Sequence, residues 1–188
     1  LRRILLSSLD GAAITSIKID GVLHEFSTIP GIREDVTDII LNLKQLCIKV
    51  EEEAQLPLEV HFDFQKDGIL TAADLAEQFP PEVEVLNPEL VIATMDETAH
   101  LVMDVVIERG KGYVPSTKNK KDTDVIGCIP IDSIFSPILR AKYEVSDVRV
   151  GNEMDFDKLT LEVWTDGSIT AADAVAKSAA IMIGYLGN

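Results

Sequence analysis

A chain of 188 residues with 46% hydrophobic content carries 32 Asp and Glu against 17 Lys and Arg, a formal net charge of -15. That much apolar content supports one packed domain or two small ones and excludes a disordered chain. The acidic excess repels phosphate backbones and anionic lipid over most of the surface, which argues against direct nucleic-acid binding and against a membrane partner.

In chain order, Leu1 to Leu9 reads as the tail of a helix, with Ile4, Leu5 and Leu6 as a broad apolar face and Asp10-Gly11 as its stop. The sequence opens on Leu inside that pattern, so the helix is expected to start upstream and the chain to be a fragment. The three-residue apolar run behind Arg2 and Arg3 is too short for an export signal, and no stretch approaches the roughly eighteen apolar residues of a membrane span. Thr15, Ile17 and Ile19 alternate with Ser16, Lys18 and Asp20 as in a half-buried strand, and Gly21 to Phe26 is expected to continue as extended chain. Val36, Ile39, Ile40 and Leu43 then fall at helical spacing, with acids in the first turn and Lys44 in the last, predicting an amphipathic helix from about Arg33 to Leu46.

Ile48 and Val50, and then Leu58, Val60, Phe62 and Phe64, alternate with polar residues and predict a strand pair joined through Glu52 to Pro57. Val83 to Val85, Val91 to Thr94 and Leu101 to Ile107 add strands, the last with Leu101, Met103, Val105 and Ile107 on one face. Gly110 to Pro115 is rich in glycine and proline and reads as a long loop. Tyr143, Val145, Val148 and Val150 predict one strand of a hairpin and Leu159, Leu161 and Val163 the other, across a Gly151-Asn152 break. The helix from Thr170 to Leu186 is apolar nearly all round, so it needs cover on more than one side, and a partner subunit is the expected cover. Ile4, Leu5, Ile181, Met182 and Leu186 are therefore the expected dimer contacts.

Several motifs invite sharper readings and fail them in detail. Asp63 to Asp74 has acids at the first, fifth and twelfth places of a calcium loop and glycine at the sixth, but Gln65 holds the third place and the twelfth lacks the bidentate Glu. Asp67 to Asp74 and Asp166 to Asp173 echo each other, and both read as an Asp-Gly turn followed by a Thr cap with an acid three residues on, not as a duplication. Gly110-Lys111-Gly112 lacks the rest of a phosphate loop. The basic run Arg109 to Lys121 is followed at once by Asp122 and Asp124 and reads as a solvated loop. Cys47 and Cys128 match no metal spacing and make no disulfide framework, which points to a reducing compartment. His24, His61 and His100 are isolated, and neither a nucleophile triad nor a polymerase-type acid cluster is present, so no catalytic residue, cofactor or metal is assigned.

Read together, LRRILLSS at the start, DGVLHEFSTIPGIREDV from Asp20, ILNLK from Ile40, RGKGYVP from Arg109, GCIPID from Gly127, Ser136-Pro137 and Asp157-Lys158-Leu159 resemble, in order and spacing, the N-terminal assembly region of the alpha subunit of bacterial or plastid RNA polymerase. The resemblance implies an α+β fold, with helices packed on an antiparallel sheet interrupted by a large inserted mixed, strand-rich domain. It divides the chain into an assembly domain of 1–10 plus 137–188 and an inserted domain of 11–136. It implies a non-catalytic scaffold that forms a homodimer and recruits the beta and beta-prime subunits in the bacterial cytoplasm or plastid stroma. By the same resemblance Arg3 and Leu6 stand at positions for beta docking, and Lys44 and Ile131 at positions for holding the large subunits, chiefly beta-prime. The family's first hairpin and its separate C-terminal, DNA-contacting domain have no counterpart in this sequence. The competing readings are an enzyme in its own right, which needs a reactive cluster, and a calcium-binding or other protein-interaction module resting on Asp63 to Asp74.

Overall fold

The computed structural model describes residues 1–121, 125–150 and 153–187. Its first half runs α1 (Arg2–Ser7), β1 (Asp10–Ile19), α2 (Val36–Leu43), β2 (Ile48–Val50), β3 (Leu58–Phe64), β4 (Gly68–Thr71), α3 (Ala72–Gln78), β5 (Val83–Val85) and β6 (Val91–Met95). The second runs β7 (Leu101–Lys111), β8 (Tyr113–Val114), α4 (Ser116–Asn119), β9 (Cys128–Pro130), β10 (Ser133–Ile134), β11 (Ile138–Val150), β12 (Glu153–Thr165) and α5 (Ala171–Leu186). Every strand pairing is antiparallel, so the fold is α+β. The chain divides into two compact units, Leu1–Leu9 with Ser136–Asn188, and Asp10–Phe135.

The Asp10–Phe135 unit is built on a four-stranded sheet in the order β3, β7, β1, β9. Leu101, Met103, Val105 and Ile107 line one face of β7 and are all buried, as the alternation predicts. Val60, Phe62 and Phe64 of β3 join that face, and Phe62 stacks edge-on against Phe79 at 5.1 Å. On β1 the register shifts between Ile14 and Ser16, so Ile14 opposes Ile107 while Ile17 opposes Val105. The extra residue, Thr15, lets Ile14 and Ile17, three apart, both reach the core, which strict alternation forbids. Val36, Ile39 and Leu43 of α2 close over this sheet together with Leu70, Leu75 and Ile92.

In the other unit, α1 and α5 pack on the hairpin β11–β12, around a cluster of Leu5, Leu9, Ile138, Ala141 and Ala174. Tyr143 opposes Leu161 and Val145 opposes Leu159, so the expected hairpin is present, while the Gly151-Asn152 break lies outside the described residues.

Four local expectations are corrected. Gly21 to Phe26 is a series of turns and bends, begun by Gly21 at φ 75 and a hydrogen bond from the Val22 N–H to the Ile19 carbonyl at 3.1 Å. The α2 helix is shorter than predicted, because Asp35 caps it by accepting from the Asp38 N–H at 2.8 Å and Lys44 is its last, C-capping residue. β2 and β3 do not pair with each other: β2 pairs with β5, and β3 with β7. Alternation sets which face of a strand is buried, but the best cross-strand match, Phe62 opposite Met103 and Val60 opposite Val105, sets the partner.

The long loop at Gly110 to Pro115 is instead the end of β7, a turn at Gly112 with φ 62, and β8. Gly110 opposes Gly11 across the ladder, and a Cβ on Gly110 would meet the Phe135 ring at 2.7 Å. The first glycine makes room for an aromatic ring, and the second supplies the turn conformation. The basic run from Arg109 therefore includes ordered elements: the Arg109 guanidinium donates to the carbonyl of Glu51 at 3.0 Å, and Lys121 pairs with Glu108 at 2.5 Å. Asp122 and Asp124 lie outside the described residues.

Candidate functional site

In the unit that holds α1 and α5, the two adjacent arginines separate as helix geometry requires, about a hundred degrees apart. Both are exposed, but Arg2 turns back, its Nε donating to the Ala141 carbonyl at 2.9 Å. Leu6 is half-buried and lines a shallow depression with Arg2, Leu139, Arg140 and Tyr143. The Arg140 guanidinium sits 4.7 Å over the Trp164 ring, which holds it against the hairpin.

The expected dimer residues divide into buried and open ones. Leu5 is fully buried within its own unit, against Ile138, Ala141 and Ala174, so it is a core residue and not a contact surface. Ile4, Ile181 and Met182 are half-buried. Leu186 is 79% exposed, and with it Ile183 at 68% and Tyr185 at 75%, two residues not among the expected contacts. On α5 polarity runs against burial: Ser178 points inward with its Oγ unpartnered among the described residues, while the last turn presents large apolar groups to solvent. That inversion carries a physical cost that a covering surface removes.

In the Asp10–Phe135 unit, Lys44 and Ile131 prove to be near neighbours through Asp132. The Lys44 Nζ lies 2.7 Å from both carboxylate oxygens of Asp132, with both side chains half-buried. The Lys44 hydrogen bond, opposed by partial burial and helped by the Tyr113 hydroxyl at 3.4 Å, holds the Asp132 carboxyl below the usual aspartate range. Ile131 itself is 3% exposed and belongs to the core, so it offers no side-chain surface to a partner. Sequence reasoning missed Asp132, which stands 88 residues from Lys44, and no local pattern links the two.

The calcium reading of Asp63 to Asp74 dissolves into other bonds. Asp63 lies on β3 and meets His100 at 2.8 Å, and Asp74 pairs with Lys66 at 2.7 Å while accepting from the Thr71 N–H at 2.7 Å. A related cap stands at Thr170, whose hydroxyl donates to the Asp173 carboxylate, as Thr71 does to Asp74, and accepts from the Asp173 N–H, which explains the echo by shared turn-to-helix chemistry. His61 pairs with Asp104 at 2.6 Å and His24 with Ser27 at 3.2 Å. Among the described residues no group of three or more His, Cys, Asp or Glu is arranged to hold a metal ion, and Cys47 and Cys128 are not joined in a disulfide. No helix of the described chain is long and apolar enough to cross a membrane.

The sequence has relatives of known kinship. Residues 17–136 match the family described as RNA polymerase Rpb3/RpoA insert domain. The DNA-directed RNA polymerase subunit alpha of Carboxydothermus hydrogenoformans is 55% identical over 99% of this chain and 58% of its own length. The proteins of the same name from Moorella thermoacetica and Leptospira biflexa are 52% and 53% identical, again over 99% of this chain and 58% and 57% of theirs. The chain belongs to the RNA polymerase alpha-subunit family. It spans somewhat under three fifths of the length of these curated relatives.

Proposed function

We propose that this chain is the assembly module of a DNA-directed RNA polymerase alpha subunit, a scaffold that self-associates and then recruits the beta and beta-prime subunits of a nucleotidyltransferase complex without contributing catalytic residues. The kinship with proteins named DNA-directed RNA polymerase subunit alpha supports the setting, in the bacterial cytoplasm or a plastid. In this reading 1–10 with 137–188 form the assembly domain and 11–136 the inserted one. Arg3 and Leu6 dock the beta subunit. Lys44 docks the large subunits, chiefly beta-prime, with Ile131 acting from the core by placing its neighbour.

The observation that carries self-association is the open apolar end of α5, Ile183, Tyr185 and Leu186, next to half-buried Ile181 and Met182. A second copy is the expected cover, with Ile4 of α1 joining the contact and Leu5 supporting it from behind. Sedimentation of the full-length subunit tests this directly. The wild type should run as a dimer and Ile183→Asp as a monomer with unchanged circular dichroism; a dimer that survives Ile183→Asp and Leu186→Asp together places the interface elsewhere.

A further inference from the structure

The segment from Ile131 to Ser133 is clamped on every side but one. The Ile131 N–H donates to the Thr15 carbonyl at 2.9 Å, and the Ile131 carbonyl accepts from the Asn119 amide at 2.6 Å. The same amide reaches the Ser133 Oγ at 3.0 Å, and that hydroxyl donates to the Ile14 carbonyl at 2.6 Å. Ile131, Ser133 and Asn119 are all buried. The residue between, Asp132, has its backbone fixed by these bonds and its carboxylate free to face outward, where it takes the Lys44 ammonium.

Lys44 in contrast stands at the C-terminal cap of α2 on a flexible four-carbon stem. Alone it would sample many rotamers, and a partner would have to order it on binding. The pair with Asp132 removes most of that freedom beforehand. Beside it, Tyr113 and Ile134 are cross-strand partners on β8 and β10 and both are largely exposed. An oriented cation next to an aromatic and an aliphatic side chain is the anatomy of a protein interface centre.

We propose that Asp132 is a positioning residue, which holds the Lys44 ammonium in the geometry that a large polymerase subunit engages, with Tyr113 and Ile134 forming the apolar part of the same contact. This rests on the reading of Lys44 as a docking residue. The ammonium has three donor directions, and the two Asp132 oxygens leave donor capacity for carbonyl or carboxylate oxygens of the large subunit. Asp132, not buried Ile131, is thus the second determinant on this face.

The test measures capture of the beta-prime subunit by the full-length subunit already bound to beta, together with the melting temperature, for Lys44→Ala, Asp132→Asn, the two combined, and the reversed pair Lys44→Asp with Asp132→Lys. Lys44→Ala and Asp132→Asn should each weaken capture by about tenfold or more, and the combination should be no worse than the stronger single change, because both remove one device. The reversed pair should recover the melting temperature but not capture, since it restores an ion pair and moves the cation to the wrong place. Asp132→Asn capturing as wild type while Lys44→Ala fails, additive losses, or capture restored by the reversed pair would each overturn the positioning role. Lys44→Ala capturing as wild type would instead sink the docking reading beneath it.

Discussion

Ile131 and Asp132 are adjacent and take opposite directions, one side chain into the core and the other to Lys44. The sequence resemblance pointed to Ile131, because it matches a family position linked to holding the large subunits, yet an isolated Ile-Asp pair has no period from which facing can be read. Glu34 and Asp74 join Asp132 as carboxylates held below their ordinary range. For Glu34 and Asp74 partial burial pushes upward and is outweighed, by the Thr94 N–H and hydroxyl in the first case and by Lys66 and Thr71 in the second. A carboxyl with a lowered folded-state pKa binds fewer protons folded than unfolded, so its stabilisation is complete above the unfolded value and is lost as the pH falls through the folded one. The urea midpoint should therefore drop as the pH falls from about 6 to about 3, and Asp132→Asn should drop by less than wild type over that interval. Equal pH dependence in the two proteins would show that the Lys44 bond does not lower the Asp132 pKa.

At the scale of elements, the sequence was most legible where a period was long and uninterrupted. β7 with its four alternating apolar residues and α2 with its helical stripe both lie where the pattern puts them. Legibility failed where tertiary space decided the matter. Gly110 looked like a loop residue because its reason for being glycine, the Phe135 ring, stands 25 positions away, and strand pairing was misassigned because alternation carries no information on the partner. The start of α5 was readable from chemistry: Thr170 accepts from the Asp173 N–H at 3.1 Å, and its hydroxyl meets the Asp173 carboxylate at 2.6 Å. Thr170→Ala should destabilise the chain by about 1 kcal/mol, the ordinary cost of losing an N-cap. A melting curve unchanged by that substitution would mean that packing alone sets where α5 begins.

For the molecule as a whole, the net charge of -15 and the open apolar end of α5 argue in the same direction, toward protein partners and away from nucleic acid. This chain should bind duplex DNA weakly at physiological salt, and tight binding that collapses steeply with added salt would contradict that expectation. The apolar all-round α5 was legible as needing cover, while the identity of its outward residues was not, because a helix apolar on every side has no face to read until its neighbours are placed. The setting of Arg3 was half legible: adjacent helical arginines point about a hundred degrees apart, but both are exposed, and only the bond from Arg2 to Ala141 shows which of them is tied to its own fold. Arg3 is accordingly the residue on which the scaffold account turns. The most direct measurement is the affinity of the full-length Arg3→Ala subunit for the beta subunit, taken with its melting temperature and its dimerisation. The account predicts at least about tenfold weaker binding with the other two nearly unchanged, since the side chain serves the partner and not this fold. Binding equal to wild type, or loss of fold and dimer together with binding, would contradict it.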